Sequence, residues 1–230
     1  TIVHTMAGRR SPLSRERVLR AALDLVDQEG VEALTMRRLG RALGIEAMSL
    51  YGYVRSKQDL IEGVVEQVFR QMPLIVPGPG TWQDRIRRHA ATYRQVLLDH
   101  PNAVRLVAGR PVITEGTAAF VDSALAELTS MGLELELADR VLGVIASFTL
   151  GVVAEQVGSA GRDEAARPLR DDISPERFPF VSQLDEMKPV DYDHEFELGL
   201  DFIVAGLERL LDASAAATAA DETGYDKIIG

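Results

Sequence analysis

The side chains best placed for specific chemistry lie in one segment, residues 34–54. Apolar residues recur through it at helical spacing, at Leu39, Leu43, Leu50 and Val54. Gly44 separates the two halves of this pattern and can take the positive φ that a tight turn between helices needs. Ile45 can fill the space under that turn. The segment therefore predicts two short helices locked together by their apolar faces.

The outer face of the second predicted helix is small, polar or aromatic. It carries Ala47, Met48, Ser49, Tyr51 and Tyr53. A helix with such a face can lie in the major groove of DNA, which is about 12 Å wide. Glu46 at the helix start suits the helix dipole but not a phosphate, so we expect it to point away from DNA. A glycine turn between apolar helices also occurs in plain bundles, which is the alternative.

Other reactive groups are sparse in the sequence. It has no recognisable Ser/His/Asp motif, HExxH motif or glycine-rich phosphate loop. His89 and His100 are expected at the surface or at helix ends rather than in a binding site. The absence of cysteine excludes disulfides and thiolate zinc sites, and it fits a reducing, cytoplasmic setting. We therefore expect no enzymatic activity and no cofactor.

Charge is unevenly distributed along the chain. The 230 residues carry a formal net charge of −10. Between residues 7 and 57, ten basic side chains stand against six acidic ones, so this part carries +4 and the remainder −14. A basic module joined to an acidic body favours nucleic acid binding by the module, although a chance solvated basic face is the alternative. Arg9 and Arg10 belong either to an arm that reaches DNA or to a disordered tail.

The elements that must position these residues are predicted to be helical throughout. Ser14, Thr35 and Ser56 are candidate N-caps, and Glu29-Gly30 ends the first helix. A short third helix is predicted over 47–54, and the Pro- and Gly-rich stretch 73–80 is predicted to be a linker. Beyond it, helical patterns cover 82–98, 103–108, 114–129, 137–157 and 195–211. The predicted fold class is all-α, without strands or internal repeats.

This pattern divides the chain into four parts. Residues 1–13 are expected to be a disordered arm, of which 1–6 can be a vector remnant. Residues 14–72 form a three-helix head with a connecting fourth helix, 81–212 a larger body, and 213–230 a flexible tail rich in Ala and Thr. Residues 158–189 are expected to be a loop. No apolar run approaches the roughly 18 residues of a membrane span, so no membrane partner is expected.

At these residues the sequence resembles the TetR family of transcriptional regulators. The family's head ends in Leu-Tyr, an apolar residue and Lys at fixed spacing, which here are Leu50-Tyr51, Val54 and Lys57. The body is similar to the tetracycline-repressor branch, at Trp82-Gln83-Asp84, Arg110-Pro111, Phe148-Thr149-Leu150-Gly151 and residues 198–208. The resemblance covers the chain to about residue 211. It implies a homodimeric repressor that a small-molecule effector releases from palindromic operator DNA.

The resemblance implies DNA contacts at nine positions. They are Thr35, Met36 and Arg37 on the second helix, Ala47, Met48, Ser49, Tyr51 and Tyr53 on the recognition helix, and Lys57 on the fourth. Arg37 can donate two hydrogen bonds to guanine O6 and N7. Tyr51 and Lys57 can bind phosphates, which fixes register without reading sequence. Ala47 and Met48 offer apolar contact only, for instance to a thymine methyl, and Ser49 can bond a base or a phosphate.

The resemblance also predicts an effector site in the body. Tetracycline repressors hold a magnesium–drug chelate through a histidine where this sequence has Leu106, and a second histidine would fall at Met72-Pro73. We therefore expect neither tetracycline nor metal, but an apolar or amphipathic effector. The candidate lining residues are Tyr93, Leu97, Leu106, Ile113, Phe120, Phe148 and Glu155. The alternative for each apolar one is core packing.

Dimerisation is expected because one head reads only one half-site. The predicted interface is a four-helix bundle made by residues 141–150 and 195–211 of both chains. Its apolar residues are Val141, Val144, Ile145, Phe148, Phe202, Ile203 and Leu207. The alternative is that they form internal core only. The competing function is a helical ligand-binding or scaffold protein that does not bind DNA, which leaves the basic head unexplained.

Overall fold

The computed structural model describes residues 13–76, 78–109, 114–159, 174, 176–180 and 190–229. Within these ranges the chain is helical and contains no strand, so the all-α prediction is confirmed. The head consists of α1 (Arg15–Glu29), α2 (Met36–Leu43), a 3₁₀ recognition helix (Ala47–Gly52) and α3 (Lys57–Phe69). The body consists of α4 (Trp82–Asp99), α5 (Val104–Gly109), α6 (Glu115–Ser130), α7 (Leu135–Ser159) and α8 (Tyr192–Ile229). Short 3₁₀ turns cover Val31–Ala33 and Pro101–Ala103.

The three predicted N-caps are confirmed. Each hydroxyl accepts a hydrogen bond from a backbone N–H in the first turn: Ser14 from Arg17 at 3.2 Å, Thr35 from Arg38 at 3.2 Å and Ser56 from Asp59 at 3.0 Å. These backbone groups have no partner within the helix itself. The caps therefore fix where α1, α2 and α3 begin.

Two glycines make the turn between α2 and the recognition helix. Gly44 ends α2 in the left-handed region, with φ 72° and ψ 32°, so the positive φ predicted from the sequence is confirmed. Gly40 allows the close approach: a Cβ added there would lie 2.9 Å from the carbonyl oxygen of Ile45 and 3.2 Å from the nitrogen of Ala47. The recognition helix can pack against α2 only because Gly40 has no side chain.

The hydrophobic core of the head continues into the body. Leu39 and Leu50 of the head belong to the same buried cluster as Leu97 of α4, Val104 of α5 and Val153 of α7. Complete burial of such an aliphatic side chain stabilises the fold by roughly 1.5–3 kcal/mol. The head is therefore packed onto one end of the body and is not joined to it through the linker alone.

Helix α4 lies at the centre of the body and packs on both α7 and α8. Its contact with α8 is polar along the outside: Gln83 bonds Glu208 at 2.8 Å, Arg87 pairs with Asp201 at 2.6 Å and Arg94 with Asp193 at 2.7 Å. Beneath this row, Ala90 packs with Phe196 and Leu200 in a small apolar cluster. The polar row and the apolar cluster together hold α8 against α4, the helix whose end lies near the head.

Helix α7 is long and apolar enough to cross a membrane by length and composition alone, with a mean hydropathy of 1.7 over an 18-residue window. This corrects the prediction that no apolar run approaches that length, because residues 141–158 contain a single charged side chain, Glu155. Only 17% of the window is buried within the chain. The helix nevertheless packs against α4, α6 and α8, so it presents one apolar face inward and another outward.

The final helix is longer than the sequence pattern predicted. Helix α8 continues to Ile229, so the prediction that it ends near residue 211 is wrong, and most of the predicted tail 213–230 is helical. Residues 213–220 are mainly alanine, which has the highest helix propensity although it carries no apolar stripe. Residues 1–12, the Arg110-Pro111 turn, Ile113 and most of the predicted loop 158–189 lie outside the described residues.

Candidate DNA interface and effector region

The recognition helix turns its predicted outer face to solvent. Met48 is 74% exposed and Tyr51 49%, and Ser49 between them is exposed as well. Leu50, on the opposite side, is completely buried in the head. Tyr53 differs from the others because it is half-buried and packs against the head core. The part of the face open to a groove therefore consists of Met48, Ser49 and Tyr51, with half-buried Ala47 at its start.

The three predicted contact residues at the start of α2 have different surroundings. The Thr35 hydroxyl accepts the capping bond from the Arg38 N–H and keeps its own O–H as a donor, and Met36 packs against the head core. The Arg37 side chain is exposed, and no residue in the described part of the chain forms an ion pair with it. Its neighbour Arg38 pairs instead with Glu29 of α1. Of the adjacent arginines, Arg37 thus retains its guanidinium for a ligand.

A carboxylate that the sequence analysis missed organises the start of α3. Asp59 accepts hydrogen bonds from the Arg15 guanidinium at 2.5 Å and from the Arg55 backbone N–H at 2.7 Å. Burial alone would raise the pKa of the Asp59 carboxyl, but the Arg55 N–H and the Arg15 guanidinium together hold it below its usual value. The ionised carboxylate therefore ties α1 to α3 beside exposed Lys57. The Ser56-x-x-Asp59 spacing of a capping box was the available signal.

The structure brings four of the predicted effector residues to one region. Tyr93 and Leu97 of α4 are buried in the shared core, and Leu106 of α5 and Phe120 of α6 pack against it. Phe69 at the end of α3, which the sequence analysis did not select, completes this group, with its ring centroid 6.1 Å from both Tyr93 and Phe120. Burial raises the pKa of Tyr93 to about 12, so its phenol stays neutral. We call Phe69, Tyr93 and Phe120 the aromatic cluster.

The remaining predicted effector residues lie elsewhere. Phe148 stacks on Phe196 of α8, with ring centroids 5.8 Å apart and planes at 9°, and fills the space beside Gly199. Glu155 is exposed, and its backbone carbonyl accepts a hydrogen bond of 3.5 Å from the Tyr192 hydroxyl. Among the described residues, no three His, Cys, Asp or Glu side chains are grouped so that they could hold a metal ion. Because Phe148 packs on Phe196 of α8, it does not belong to the aromatic cluster of Phe69, Tyr93 and Phe120.

Two known families match this chain. Residues 18–64 match the bacterial regulatory proteins of the tetR family, and residues 74–211 match the tetracyclin repressor-like C-terminal domain. The class D tetracycline repressor of Escherichia coli is 32% identical over 206 residues, which cover 87% of this chain and 92% of that protein. An HTH-type transcriptional regulator of Saccharopolyspora erythraea is 28% identical over 201 residues, or 85% of this chain and 84% of the relative.

Solved structures show the same similarity. Apo ActR from Streptomyces coelicolor has a TM-score of 0.76 and 28% sequence identity, over 89% of this chain and 99% of ActR. ActR in complex with actinorhodin has a TM-score of 0.76 and 29% identity, over 86% of this chain and 96% of that structure. The similarity thus extends over head and body together.

A helix-turn-helix head on a larger all-helical body defines a DNA-binding transcriptional regulator. The chain belongs to the TetR family of bacterial regulatory proteins and carries the tetracycline repressor-like C-terminal domain. It is a ligand-responsive transcriptional repressor, and this family is a class of regulators and not of enzymes.

Proposed function

We propose that this chain acts in the cytoplasm as a homodimer that binds a palindromic operator and leaves it when a small apolar or amphipathic molecule binds beside the aromatic cluster. The observation that carries the proposal is the shared core: the recognition helix and the aromatic cluster pack into one buried cluster. A ligand that displaces the aromatic side chains would therefore act on the elements that hold the recognition helix.

Exposed apolar residues on α7 and α8 support the dimer. Of the residues predicted for the interface, Val144 is 56% exposed and Phe202 70%, whereas Val141 and Leu207 are buried within one chain. Gly143 and Gly151 on α7 and Gly206 on α8 have open space where a Cβ would stand, which allows close approach of a second helix. Two copies of α7 and α8 would form the four-helix bundle expected from the sequence.

A second copy of the chain accounts for this surface better than a lipid bilayer does. An exposed carboxylate, that of Glu195, lies two helical turns before Phe202 on α8. Charged side chains that face lipid are costly and rare, whereas the rim of a protein interface is polar. The apolar face of α7 therefore favours burial against protein.

The aromatic cluster supports an aromatic effector. Rings at 6.1 Å spacing can open to stack against a further planar ring, and aromatic pairs prefer such offset or tilted arrangements. ActR, which this chain resembles, has been solved in complex with actinorhodin and with (S)-DNPA. The resemblance implies that Leu106 occupies the position of a metal-binding histidine; because leucine cannot coordinate a metal, the proposed effector binds without one.

The proposed switch is a population shift between two orientations of the heads. Effector binding would rotate α3 through α5, which changes the distance between the two recognition helices of the dimer. A ligand achieves this only if it prefers the orientation that cannot contact both half-sites. Repression would then end without any loss of contact within one head.

The test starts with DNA from upstream of the protein's own gene. Fluorescence anisotropy gives the affinity, and native mass spectrometry counts two protomers per operator if the proposal is right. A thermal-shift screen of planar aromatic compounds would then supply effector candidates. The expected hit lowers DNA affinity and loses its stabilising effect in Phe120→Ala but keeps it in Phe148→Ala, because Phe148 lies in a different cluster. A folded protein that binds no upstream or neighbouring intergenic DNA at low salt would favour the scaffold alternative.

A further inference from the structure

His100 joins the head to the body through both of its ring nitrogens. It is the C-cap residue of α4, and its Nδ1 lies 2.8 Å from Oδ2 of Asp27, near the end of α1. Its Nε2 lies 2.6 Å from Nε2 of Gln71, two residues after α3. In addition, the side-chain amide of Asn102 donates to the backbone carbonyl of Asp27 at 2.9 Å. We call Asp27, Gln71, His100 and Asn102 the junction.

The hydrogen bonds of the junction define one arrangement of protons. When the Gln71 amide donates to Nε2, the ring proton lies on Nδ1 and is donated to the Asp27 carboxylate. A hydrogen bond to an ionised acceptor is shorter and stronger than one between neutral groups. The backbone N–H of His100 also donates to the Leu97 carbonyl at 3.2 Å, which ties the His100 backbone to the last turn of α4. A movement of α4 therefore changes the contacts of His100 with α1 and with the end of α3 together.

The contact between His100 and Asp27 is largely shielded from water, whereas Gln71 and Asn102 are exposed. The His100 side chain is 12% exposed and that of Asp27 26%. The neighbouring residues Ala103, Val104 and Met72 are buried in the core that head and body share. Screening of the contact by solvent is therefore weak, and a change in its geometry leaves polar groups that water cannot readily satisfy.

The junction also adjoins the proposed effector region. Tyr93 precedes His100 by about two helical turns on α4, and α5, with Leu106, follows the Pro101–Ala103 turn directly. A second contact between head and body, where Glu66 of α3 and the C-cap residue Arg70 face Gly116 of α6, is different in kind. There the Arg70 guanidinium donates to the Glu66 carboxylate, at 2.6 and 2.9 Å, so both partners belong to the head. The hydrogen bonds of the junction, in contrast, join residues of the body to residues of the head.

We propose that His100 is the positioning residue that sets the orientation of the DNA-binding head on the body. We assign the bonded junction to the orientation that fits DNA, and the parted junction to the effector-bound orientation. The effector acts by shifting the end of α4 and parting His100 from Asp27 and Gln71. This inference rests on the proposed function of the aromatic cluster as the effector site.

The first test is a double-mutant cycle in DNA affinity, measured by anisotropy on DNA from upstream of the gene. His100→Ala and Asp27→Ala are each expected to weaken binding about tenfold, which corresponds to about 1.4 kcal/mol. The double variant should bind no more weakly than the weaker single one, because both changes break one contact. His100→Asn, which keeps a donor near the Nδ1 position, should recover part of the loss. His194→Ala, the same change at an exposed site on α8, should bind as the wild type does.

A second readout does not depend on DNA. Because the chain contains no cysteine, spin labels can be placed at Arg41→Cys on the head and Glu134→Cys on the body, both exposed. Electron–electron distance measurements, on labelled chains diluted with unlabelled ones, should give one narrow distance. We expect a shifted or broadened distance in His100→Ala, and also in Asp27→Asn, which tests the same contact if the first variant does not fold.

The outcomes separate this inference from the proposed function. If the wild type binds no DNA but the label distance still changes, the proposed function fails while the junction remains the device that orients the head. Unchanged distances in folded variants would overturn the inference. So would additive effects of the two alanine substitutions, or a shifted distance with unchanged DNA affinity.

Discussion

Gly40 and Gly44 lie one helical turn apart, yet the head needs them for different reasons. Gly44 supplies a left-handed backbone conformation, and Gly40 supplies space for the Ile45 carbonyl. The first requirement is visible in the sequence, because a glycine between two apolar patterns signals a turn. The second arises only when the recognition helix folds back onto α2, so spacing along the chain did not reveal it.

Both glycines are expected to resist substitution by alanine. Gly44→Ala should lower the free energy of unfolding by about 1–2 kcal/mol, the usual cost of a left-handed conformation for a residue with a Cβ. Gly40→Ala should also weaken DNA binding, because the atoms in its way are backbone atoms of the recognition segment. Urea unfolding and anisotropy measure the two effects. Gly52→Ala, at a position with open space and an ordinary φ, is the control and should change stability by less than about 0.5 kcal/mol.

Asp59 should make the stability of the head depend on pH. Its pKa in the folded chain lies below the usual 3.8, so its stabilising contribution is present above that value and is lost as the pH falls through the lower folded pKa. Asp59→Asn removes the contribution at every pH. The difference in unfolding free energy between wild type and variant should therefore be largest at neutral pH and shrink in acid. A constant difference across this range would mean that the carboxylate charge is unimportant.

For single residues, the sequence predicted those hydrogen bonds in which a side chain bonds to the backbone of its own helix. Ser14, Thr35 and Ser56 were predicted as caps because capping is local chemistry. It failed for Phe69 and His100, whose partners lie on other helices. His100 was expected at a helix end, which is right, but its bonds to α1 and to the end of α3 could not be predicted without the packing of α4.

At the scale of the element, the existence and order of the helices were predictable and their ends were less so. The apolar periodicity located each helix, since a helix that packs on a core must carry a stripe. Helix α8 extends past its stripe to Ile229 because alanine-rich sequence is helical without one. The recognition helix was predicted over 47–54, but its 3₁₀ helix ends at Gly52, with Val54 buried beyond it.

The outward faces of α7 and α8 carry the prediction that belongs to this scale. Phe202→Glu or Val144→Glu should give a folded monomer at concentrations where the wild type is a dimer, because a charge would be buried against its own symmetry copy. Sedimentation velocity measures the change, and circular dichroism verifies the fold. Val121→Glu, an exposed apolar position on α6, should leave the dimer intact. A monomeric wild type, or a Phe202→Glu dimer as tight as the wild type, would contradict the proposed interface.

Over the whole molecule, both charge and packing support a DNA-binding head that is controlled by the body. The net charge of +4 over residues 7–57 sits on a chain of −10, which concentrates attraction for phosphate at one end. The core shared by head and body means that this end is held by the elements around the aromatic cluster. The charge asymmetry was readable from the sequence. The shared core was not, because it depends on how α1 and α3 pack against the end of α4.

The DNA-reading role of the head is tested by the affinity of the wild type and of Arg37→Ala for DNA from upstream of the gene, across a salt series. The logarithm of wild-type affinity should fall linearly with the logarithm of salt concentration, by about 0.9 per phosphate contacted. Arg37→Ala should weaken binding by about 1–3 kcal/mol if its guanidinium reads a base. Arg88→Ala, an exposed arginine on α4, should have no such effect. A DNA affinity that does not change with salt concentration would contradict the assignment of this head as the DNA-reading element. So would an Arg37→Ala variant that binds DNA as tightly as the wild type.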